Sequence, residues 1–249
     1  MIAQDYFSKR RTIRQYTDQK IESTLLTELL AAAAQAPTTG NMQLYSVIIT
    51  EDEEMKQRLA PTHFNQPSVM EAAAVLTFCA DFNRFVKWCE ERNAKPGYDN
   101  FQAWIWAVED TLIFAQQFVT LAEMNGLGTC YLGTTTYNAP KIAEILGLPK
   151  RVVPIATVTV GYPAVEGHLS DRLPIDAIIH HEQYKDYDSE RINNIYAAKE
   201  ALPESAKFIN ENGKETLAQV FTDIRYKQAD NEYFSKVFAD FIREKGFEI

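Results

Sequence analysis

The stretch AWIWAVEDTLIFAQQFVTLA, residues 103–122, decides the fold of this chain. One set of its apolar residues recurs at helical spacing: Trp104, Val108, Leu112, Ala115, Val119 and Ala122. Ile105, Phe114 and Phe118 continue the apolar surface nearly all the way around the same helix. Because such a helix belongs at the centre of a large core or at an interface, we predict a helix over 100–125 that other elements cover.

Apolar runs on either side of this helix predict strands. They are LYSVIIT (44–50), AAAVLTFCADF (72–82), GTCYLG (128–133) and RVVPIATVTVGYP (151–163). The last run does not alternate strictly, which is typical of a central strand buried on both faces. Helical patterns at 25–36, 51–60 and 140–149 separate the strands. The sequence therefore predicts an α/β or α+β fold whose sheet is covered on both faces.

The tail of the chain has weaker patterns. After Pro174 we expect an extended piece, IDAIIHH (175–181), and three weaker helical stretches.

The composition is that of an ordinary globular protein, with 46% hydrophobic and 24% charged residues among 249. A formal net charge of −9 leaves no broad basic stripe of the kind that nucleic-acid binding requires. The longest apolar stretch, residues 111–122, contains two glutamines and is too short to span a bilayer. The first residues lack the pattern of a secretory signal. We therefore expect neither a nucleic-acid nor a membrane partner.

The cysteines and histidines form no disulfide or metal pattern. Cys79, Cys89 and Cys130 are too few and too odd in number for a disulfide framework, so we interpret them as reduced thiols of a cytoplasmic protein. His180 and His181 are adjacent and would point to opposite faces of a strand, so no metal site is predicted. The chain also lacks the G-x-G-x-x-G, P-loop, H-E-x-x-H and G-x-S-x-G motifs.

Five short segments remain as candidates for chemistry. They are RRTIR (10–14), PTTGNMQ (37–43), FNQ (64–66), GLGTCYLGT (126–134) and HLSDRLP (168–174). Each is weak alone, since a basic run is more often a solvated surface and such glycines more often end a helix or form a turn. Together they supply arginines for a phosphate, hydroxyl and amide groups for polar edges, and a glycine-rich strand end that a flat ligand can approach.

These segments resemble one known family. RRTIRQYTDQKI (10–21) resembles the R-R-S-x-R-x-F/Y opening of the nitroreductase superfamily of FMN enzymes. VLTFCADFNR (75–84), the long helix, GLGTCYLG (126–133) and the later LGLP and RLP are similar to its oxygen-insensitive, NADPH-linked nitroreductase and flavin reductase branch. The likeness runs in order from Tyr6 to about Pro174 and is less clear in the last third of the chain.

The resemblance implies a nitroreductase-like α+β sandwich, in which helices flank a central, mostly antiparallel sheet. It implies one FMN-binding domain over 1–249, with a core of about 1–185 and a C-terminal helical extension of about 186–249. It also implies a cytoplasmic homodimer with FMN at the interface, which transfers hydride from NADPH or NADH to a nitroaromatic, a quinone or free flavin. Because FMN carries this chemistry, no dedicated catalytic side chain is expected, and Arg14 acts electrostatically.

The resemblance also assigns cofactor contacts residue by residue. The residues are Arg10, Arg11, Thr12, Arg14, Thr38, Thr39, Gly40, Gln43, Gln66, Tyr131, Leu132, Gly133, Thr134, Ser170 and Arg172. The first four hold the phosphate, the ribityl chain and the pyrimidine edge of the flavin. The residues of 38–43 and Gln66 lie around the flavin, and the backbone of 131–134 faces it. Arg172 is a second phosphate arginine, with Ser170 beside it.

Two departures from the branch pattern bear on FMN binding. Ser170 and Asp171 replace the usual Lys-Pro, so a cation is lost and an acid stands beside Arg172, with His168 as a candidate to compensate. Thr134 replaces a second glycine and is expected to narrow the space above the flavin ring.

A third departure bears on the electron donor. NADPH-preferring relatives have arginines in a C-terminal loop, and the matching segment here is FINENGKETLAQVFTDIR (208–225). It offers Lys214 with two glutamates close by and no arginine until Arg225, a poor site for the 2′-phosphate of NADPH. We therefore expect the preference for NADPH to be weakened or lost, with NADH a competent donor.

Two other functions stay open on the sequence. One is other flavin chemistry of the same superfamily, reductive dehalogenation or flavin fragmentation, which needs lid chemistry that the sequence does not indicate. The other is a non-enzymatic module that binds a small phosphate or a nucleotide through its arginines. A flavin spectrum that bleaches with NAD(P)H distinguishes the enzyme from the module.

Overall fold

Four strands, β1 (Tyr45–Thr50), β2 (Ala74–Asp81), β3 (Gly128–Leu132) and β4 (Val152–Gly161), form one sheet in the computed structural model, which describes residues 3–249. Their order is β1-β2-β4-β3, and every neighbouring pair is antiparallel. All of β2 and all of β4 except Ile155 is buried, which explains why both are continuous apolar runs in the sequence. The predicted α+β fold and the central position of β4 are confirmed.

Eleven helices accompany the sheet within the described residues. Seven precede or connect the strands: α1 (Ala3–Lys9), α2 (Ser23–Ala33), α3 (Glu53–Leu59), α4 (Pro67–Glu71), α5 (Asn83–Glu91), α6 (Phe101–Met124) and α7 (Ala139–Leu146). Four follow Pro174: α8 (Ser189–Glu200), α9 (Pro203–Glu211), α10 (Leu217–Val220) and α11 (Gln228–Glu244). Short 3₁₀ helices span Thr39–Asn41, Ala60–His63 and Ile175–Ala177. No helix in this described part is long and apolar enough to cross a membrane.

The long helix α6 packs one face on the sheet. Phe114 and Phe118 lie against Phe78 of β2, with ring centroids 5.4 and 5.8 Å apart, inside the largest cluster of buried apolar residues. Asn100 caps the start of the helix, since its side-chain oxygen accepts the Ala103 N–H at 3.0 Å. The predicted helix over 100–125 is therefore confirmed, and it forms the centre of the core as its composition indicated.

The chain divides into two compact units. The first comprises residues 1–168 and 234–249, and the second comprises 169–233. The first unit contains the whole sheet and α1–α7, and the second contains α8–α10. The division into a core of about 1–185 and an extension of 186–249 stays a prediction.

The tail differs from the sequence-based expectation. Residues 175–181 are not extended, and four α-helices rather than three follow Pro174 in the described chain, together with the 3₁₀ helix Ile175–Ala177 and a π-helical turn at Phe221–Arg225. The reason is local: the Tyr187 hydroxyl donates to the Ala177 carbonyl at 2.6 Å, and the Lys185 N–H donates to His180 Nδ1 at 3.0 Å. These side chains form hydrogen bonds with backbone groups. In a strand, the same groups would have to pair with a neighbouring strand.

Candidate active site

The basic run lies along the free edge of β3. The Ile13 N–H donates to the Thr129 carbonyl at 2.9 Å, and the Thr17 N–H donates to the Tyr162 carbonyl at 2.9 Å. Residues 10–17 therefore follow the sheet edge as an extended segment. The approach is so close that a Cβ at Gly128 would lie 2.6 Å from the Cβ of Ile13. Gly128 is thus required by the packing of the basic segment.

Glu123, in the last turn of α6, anchors this segment. Its carboxylate accepts hydrogen bonds from the Tyr6 hydroxyl at 2.6 Å, from Arg10 at 3.0 Å and from the Thr129 hydroxyl at 2.5 Å. Burial, and the hydrogen bond to Glu123, raise the pKa of Tyr6. Because the Glu123 side chain is only 8% exposed, its pairing with Arg10 compensates a largely buried charge. Arg10 is therefore part of the structural anchor of the run.

The other two arginines differ in their partners. Arg11 pairs with the exposed Glu166 at 2.5 Å. Arg14 is exposed and has no carboxylate within ion-pair distance anywhere in residues 3–249. Burial raises the pKa of the Cys130 thiol, and the nearby guanidinium groups of Arg14 and Arg10 oppose that shift. The run thus presents one uncompensated guanidinium, that of Arg14, beside β3.

A second group of candidate residues lies at the C-terminal end of β3. His63 Nδ1 is 2.8 Å from the Thr134 hydroxyl, and the Gln66 N–H donates to the His63 carbonyl at 3.2 Å. These bonds tie the loop that carries Gln66 to the end of the strand. Tyr131 is half-buried, and burial raises its pKa. Gly133 is exposed, and a Cβ built on it would meet no atom within 4 Å, so the space on its side-chain side is open.

The turn at 38–43 is held by a buried acid on α6. Asp110, 1% exposed, accepts the Thr39 N–H at 2.8 Å and the Leu44 N–H at 3.1 Å. Gly40 and Gln43 both have positive φ, at 56° and 55°. The backbone conformation of the turn is therefore fixed by these two residues and by the bonds to Asp110. Among the described residues no hydrogen bond or ion pair joins this turn to β3.

The predicted phosphate residues of the second unit lie on exposed chain before α8. Arg172 donates to the Asp171 carbonyl at 2.7 Å, and Ser170 is exposed. The Asp171 carboxylate pairs with Lys199 of α8 at 2.7 Å, and this hydrogen bond lowers the pKa of Asp171. The acid that replaces the expected proline is therefore compensated by Lys199, which leaves the guanidinium charge of Arg172 available.

Comparison with known proteins identifies the family. A family model described as the nitroreductase family matches residues 7–162. The chain belongs to the nitroreductase family. It is 31% identical over 247 residues to the FMN reductase [NAD(P)H] of Bacillus subtilis (strain 168), with 96% of this chain and 95% of that protein covered. The predicted resemblance is confirmed.

Two further relatives of this nitroreductase support the assignment. The oxygen-insensitive NADPH nitroreductase of Salmonella typhimurium is 33% identical over 178 residues, with 72% of each chain covered. The crystal structure of an oxidoreductase candidate from Bacteroides fragilis NCTC 9343 is 56% identical and superposes with a TM-score of 0.97, over 98% of this chain and 100% of that one. The structural likeness to this oxidoreductase therefore extends over nearly the whole chain.

The chemistry of these residues fits FMN. The edge and end of β3 combine an uncompensated guanidinium, at Arg14, with open backbone at Gly133 and a hydroxyl at Thr134. A buried nitrogen, His63 Nε2, has no hydrogen-bond partner among the described atoms. A flat ring with polar edges and an anionic tail matches the guanidinium, the backbone N–H groups and the hydroxyl of this set. The site assignments themselves stay predictions.

Sequence reasoning missed three residues that hold the candidate site. Glu123 and Asp110 hold the two candidate segments, and His63 holds Thr134. Only Asp110 had a sequence signal, since it falls on the apolar face of the predicted helix, where an acid needs buried donors. Glu123 and His63 had no comparable signal.

The buried His63 makes stability depend on pH. Burial lowers its pKa to about 4, whereas a histidine in an unfolded chain titrates near about pH 6.5. Between these values the unfolded state binds a proton that the folded state does not, so the free energy of unfolding falls as pH decreases. We expect the stability of the wild type relative to His63→Phe to fall by about 2 kcal/mol between pH 7 and pH 5 in urea unfolding. A difference that stays constant over this range would contradict a neutral, buried His63.

Proposed function

We propose that the chain is a cytoplasmic FMN-dependent oxidoreductase that transfers hydride from NADPH or NADH to a nitroaromatic, a quinone or free flavin. The observation that carries the proposal is the uncompensated, exposed guanidinium of Arg14 beside the strand whose end presents the open Gly133. Family membership, and relatives described as FMN reductase and NADPH nitroreductase, support the same cofactor. The three cysteines are buried and unpaired, which agrees with a reducing compartment.

The chain's own groups would bind and tune the cofactor. Bound FMN would supply the hydride chemistry between NAD(P)H and the acceptor. Arg14 would hold an anionic edge of the cofactor, and its positive charge would favour the redox state that carries more negative charge. Backbone N–H groups at Gly133 and Thr134 would bind and orient the ring. Hydride transfer depends above all on proximity, so an open face above Gly133 is the main requirement on the protein.

A homodimer with FMN contacts from both chains is part of the proposal. Leu112 and Ile113 of α6 are each 44% exposed, and with Phe7 they line an apolar groove. Contiguous exposed apolar surface of this kind marks an interaction site. A second copy that covers α6 would also bring further site residues together, such as the Asp110-held turn at 38–43.

The absorption spectrum of the purified protein tests this function. We expect flavin bands near those of FMN, bleaching when NADPH or NADH is added without oxygen, and recovery when a quinone or nitroaromatic follows. Protein that is colourless should regain these bands after incubation with FMN. Folded protein that neither contains FMN nor binds it would instead favour a phosphate- or nucleotide-binding module without redox activity.

The C-terminal segment 208–225 is expected to discriminate weakly between the two donors. Lys214 is already paired with Asp223 at 2.8 Å, and Arg225 lies over the ring of Phe208, 4.2 Å from its centroid. Both Lys214 and Arg225 thus already interact with other side chains, whereas binding the 2′-phosphate of NADPH requires a cation without such a partner. We expect the ratio of kcat/KM for NADPH to that for NADH to stay below about a hundredfold, or about 2.7 kcal/mol.

Freeing Lys214 tests this reading of the segment. Asp223→Ala should raise the NADPH-to-NADH ratio severalfold, since it leaves the ammonium group without a carboxylate. Glu211→Ala is the matched control, because Glu211 contacts Lys207 at 3.7 Å and not Lys214. A wild-type ratio above about a hundredfold would show that other residues bind the 2′-phosphate.

A further inference from the structure

His63 is a buried histidine with one partner. Its side chain is 0% exposed, at the end of the 3₁₀ helix Ala60–His63. Nδ1 lies 2.8 Å from the Thr134 hydroxyl oxygen, whereas Nε2 has no partner among the described atoms. Since burial lowers the pKa of His63 to about 4, the ring is neutral at physiological pH and has one N–H donor and one acceptor nitrogen.

The environment selects one tautomer of this ring. A buried N–H without an acceptor is costly and rare in proteins. With the hydrogen on Nδ1, His63 donates to Thr134, and the unpartnered Nε2 is only an unused acceptor. Thr134 then accepts through its oxygen, and its own hydroxyl hydrogen has no acceptor in the part of the chain that the structure describes. That hydrogen is left for an acceptor on a ligand, which must reach Thr134 through the 9% of this residue that is exposed.

The position of Thr134 makes this hydrogen useful. Thr134 follows Gly133 at the end of β3, where the space on the side-chain side of the glycine is open. The resemblance implies a second glycine at this position, so only backbone donors are expected there. The Thr134 side chain adds a hydroxyl donor to them.

We propose that His63 is a positioning residue that fixes the Thr134 hydroxyl so that it donates a hydrogen bond to an acceptor atom of the bound flavin ring. The inference rests on the proposed FMN function and deepens it. Threonine has alternative side-chain rotamers, and the bond from His63 holds one of them. A donor fixed in advance loses less freedom when the ligand binds. Without His63 the hydroxyl is free to rotate, and without Thr134 the imidazole has nothing to position.

A double-mutant cycle on FMN affinity tests the coupling. The measurements are the FMN dissociation constant of the apoprotein, from quenching of flavin fluorescence, and the visible spectrum of the bound flavin. Thr134→Val and His63→Phe are each expected to weaken binding about fivefold to tenfold and to shift the flavin bands alike. The double variant should bind within about twofold of either single variant. Losses that multiply in the double variant would overturn the proposal.

Conservative variants separate positioning from packing. Thr134→Ser keeps the hydroxyl, so His63→Phe should still weaken binding in that background. His63→Asn retains a donor near the place of Nδ1 and is expected to bind FMN more tightly than His63→Phe. Asn138→Ala is the matched control, because it removes another bond between the same two segments, from Asn138 to the Thr62 carbonyl at 2.7 Å. It should leave the FMN affinity within about twofold of wild type.

The outcomes distinguish this inference from the proposed function. Far-UV circular dichroism and thermal melting show whether each variant is folded. If folded wild type does not bind FMN, the proposed function fails. If Arg14→Ala weakens FMN binding but neither Thr134→Val nor His63→Phe changes the affinity or the spectrum, the function stands and the role of His63 is overturned. An equal loss in Asn138→Ala would also overturn it, since any break between the two segments would then suffice.

Discussion

Replacing Ile113 with glutamate is expected to dissociate the holoprotein into 28.4 kDa monomers and to release most of the FMN. Ile113 and its neighbour Leu112 are each 44% exposed on the helix that forms the centre of the core. In a twofold dimer each substitution enters the interface twice. An unpaired buried charge costs about 3 kcal/mol or more, so the two copies should raise the dimer dissociation constant by at least about a thousandfold.

Sedimentation velocity at micromolar concentration measures this effect directly. Wild type should sediment as a dimer with FMN absorbance in the same boundary, and Ile113→Glu as a monomer without it. Trp88→Glu is the control, because Trp88 is 57% exposed on α5, outside the apolar groove, and its substitution should leave the dimer intact. A wild-type holoprotein that sediments at 28.4 kDa would refute both the interface and the shared site.

The elements with continuous burial could be predicted from the sequence. β2 and nearly all of β4 are buried, and α6 has ten buried residues between Ala103 and Ala122, so the apolar patterns of these elements are easy to recognise. α5 was missed because it is short and only partly buried, with Val86 and Cys89 as its buried residues. Residues 175–181 were wrongly expected to be extended, because exposed isoleucines imitate a strand. Burial, more than the intrinsic helix or strand propensity of the residues, determined which elements could be predicted from the sequence.

The residues that hold the candidate site could not be predicted in this way. Tyr6 and Glu123 are 117 positions apart, Asp110 and Leu44 are 66 apart, and His63 and Thr134 are 71 apart. Hydrophobic periodicity in the sequence predicts single helices and strands. It does not predict which side chains far apart in the sequence form hydrogen bonds. The resemblance supplied candidate ligand contacts. The residues that hold those candidate contacts in place, such as Glu123, Asp110 and His63, could be identified only from the tertiary structure.

Arg14→Ala should weaken FMN binding more than the same change at Arg11. Both side chains belong to the basic run, but Arg11 is paired with Glu166 and Arg14 has no carboxylate in residues 3–249. A guanidinium that is already paired with a carboxylate must share its hydrogen bonds with a ligand, whereas no carboxylate competes with a ligand for Arg14. Loss of a hydrogen bond to a charged group costs about 1–3 kcal/mol, or roughly 5-fold to 150-fold in the dissociation constant.

FMN titration of the apoproteins, repeated at two salt concentrations, measures this loss. Arg14→Lys keeps the charge but not the fork of donors and should fall between wild type and Arg14→Ala. Arg58→Ala is the control, since Arg58 is an exposed arginine of α3 with no carboxylate partner in residues 3–249, and its guanidinium donates to Met55 Sδ at 3.8 Å. Salt should reduce the difference between wild type and Arg14→Ala, because part of it is electrostatic. If Arg14→Ala binds FMN as tightly as wild type and turns over at the same rate, the basic run is a solvated surface and the phosphate or pyrimidine edge is held elsewhere.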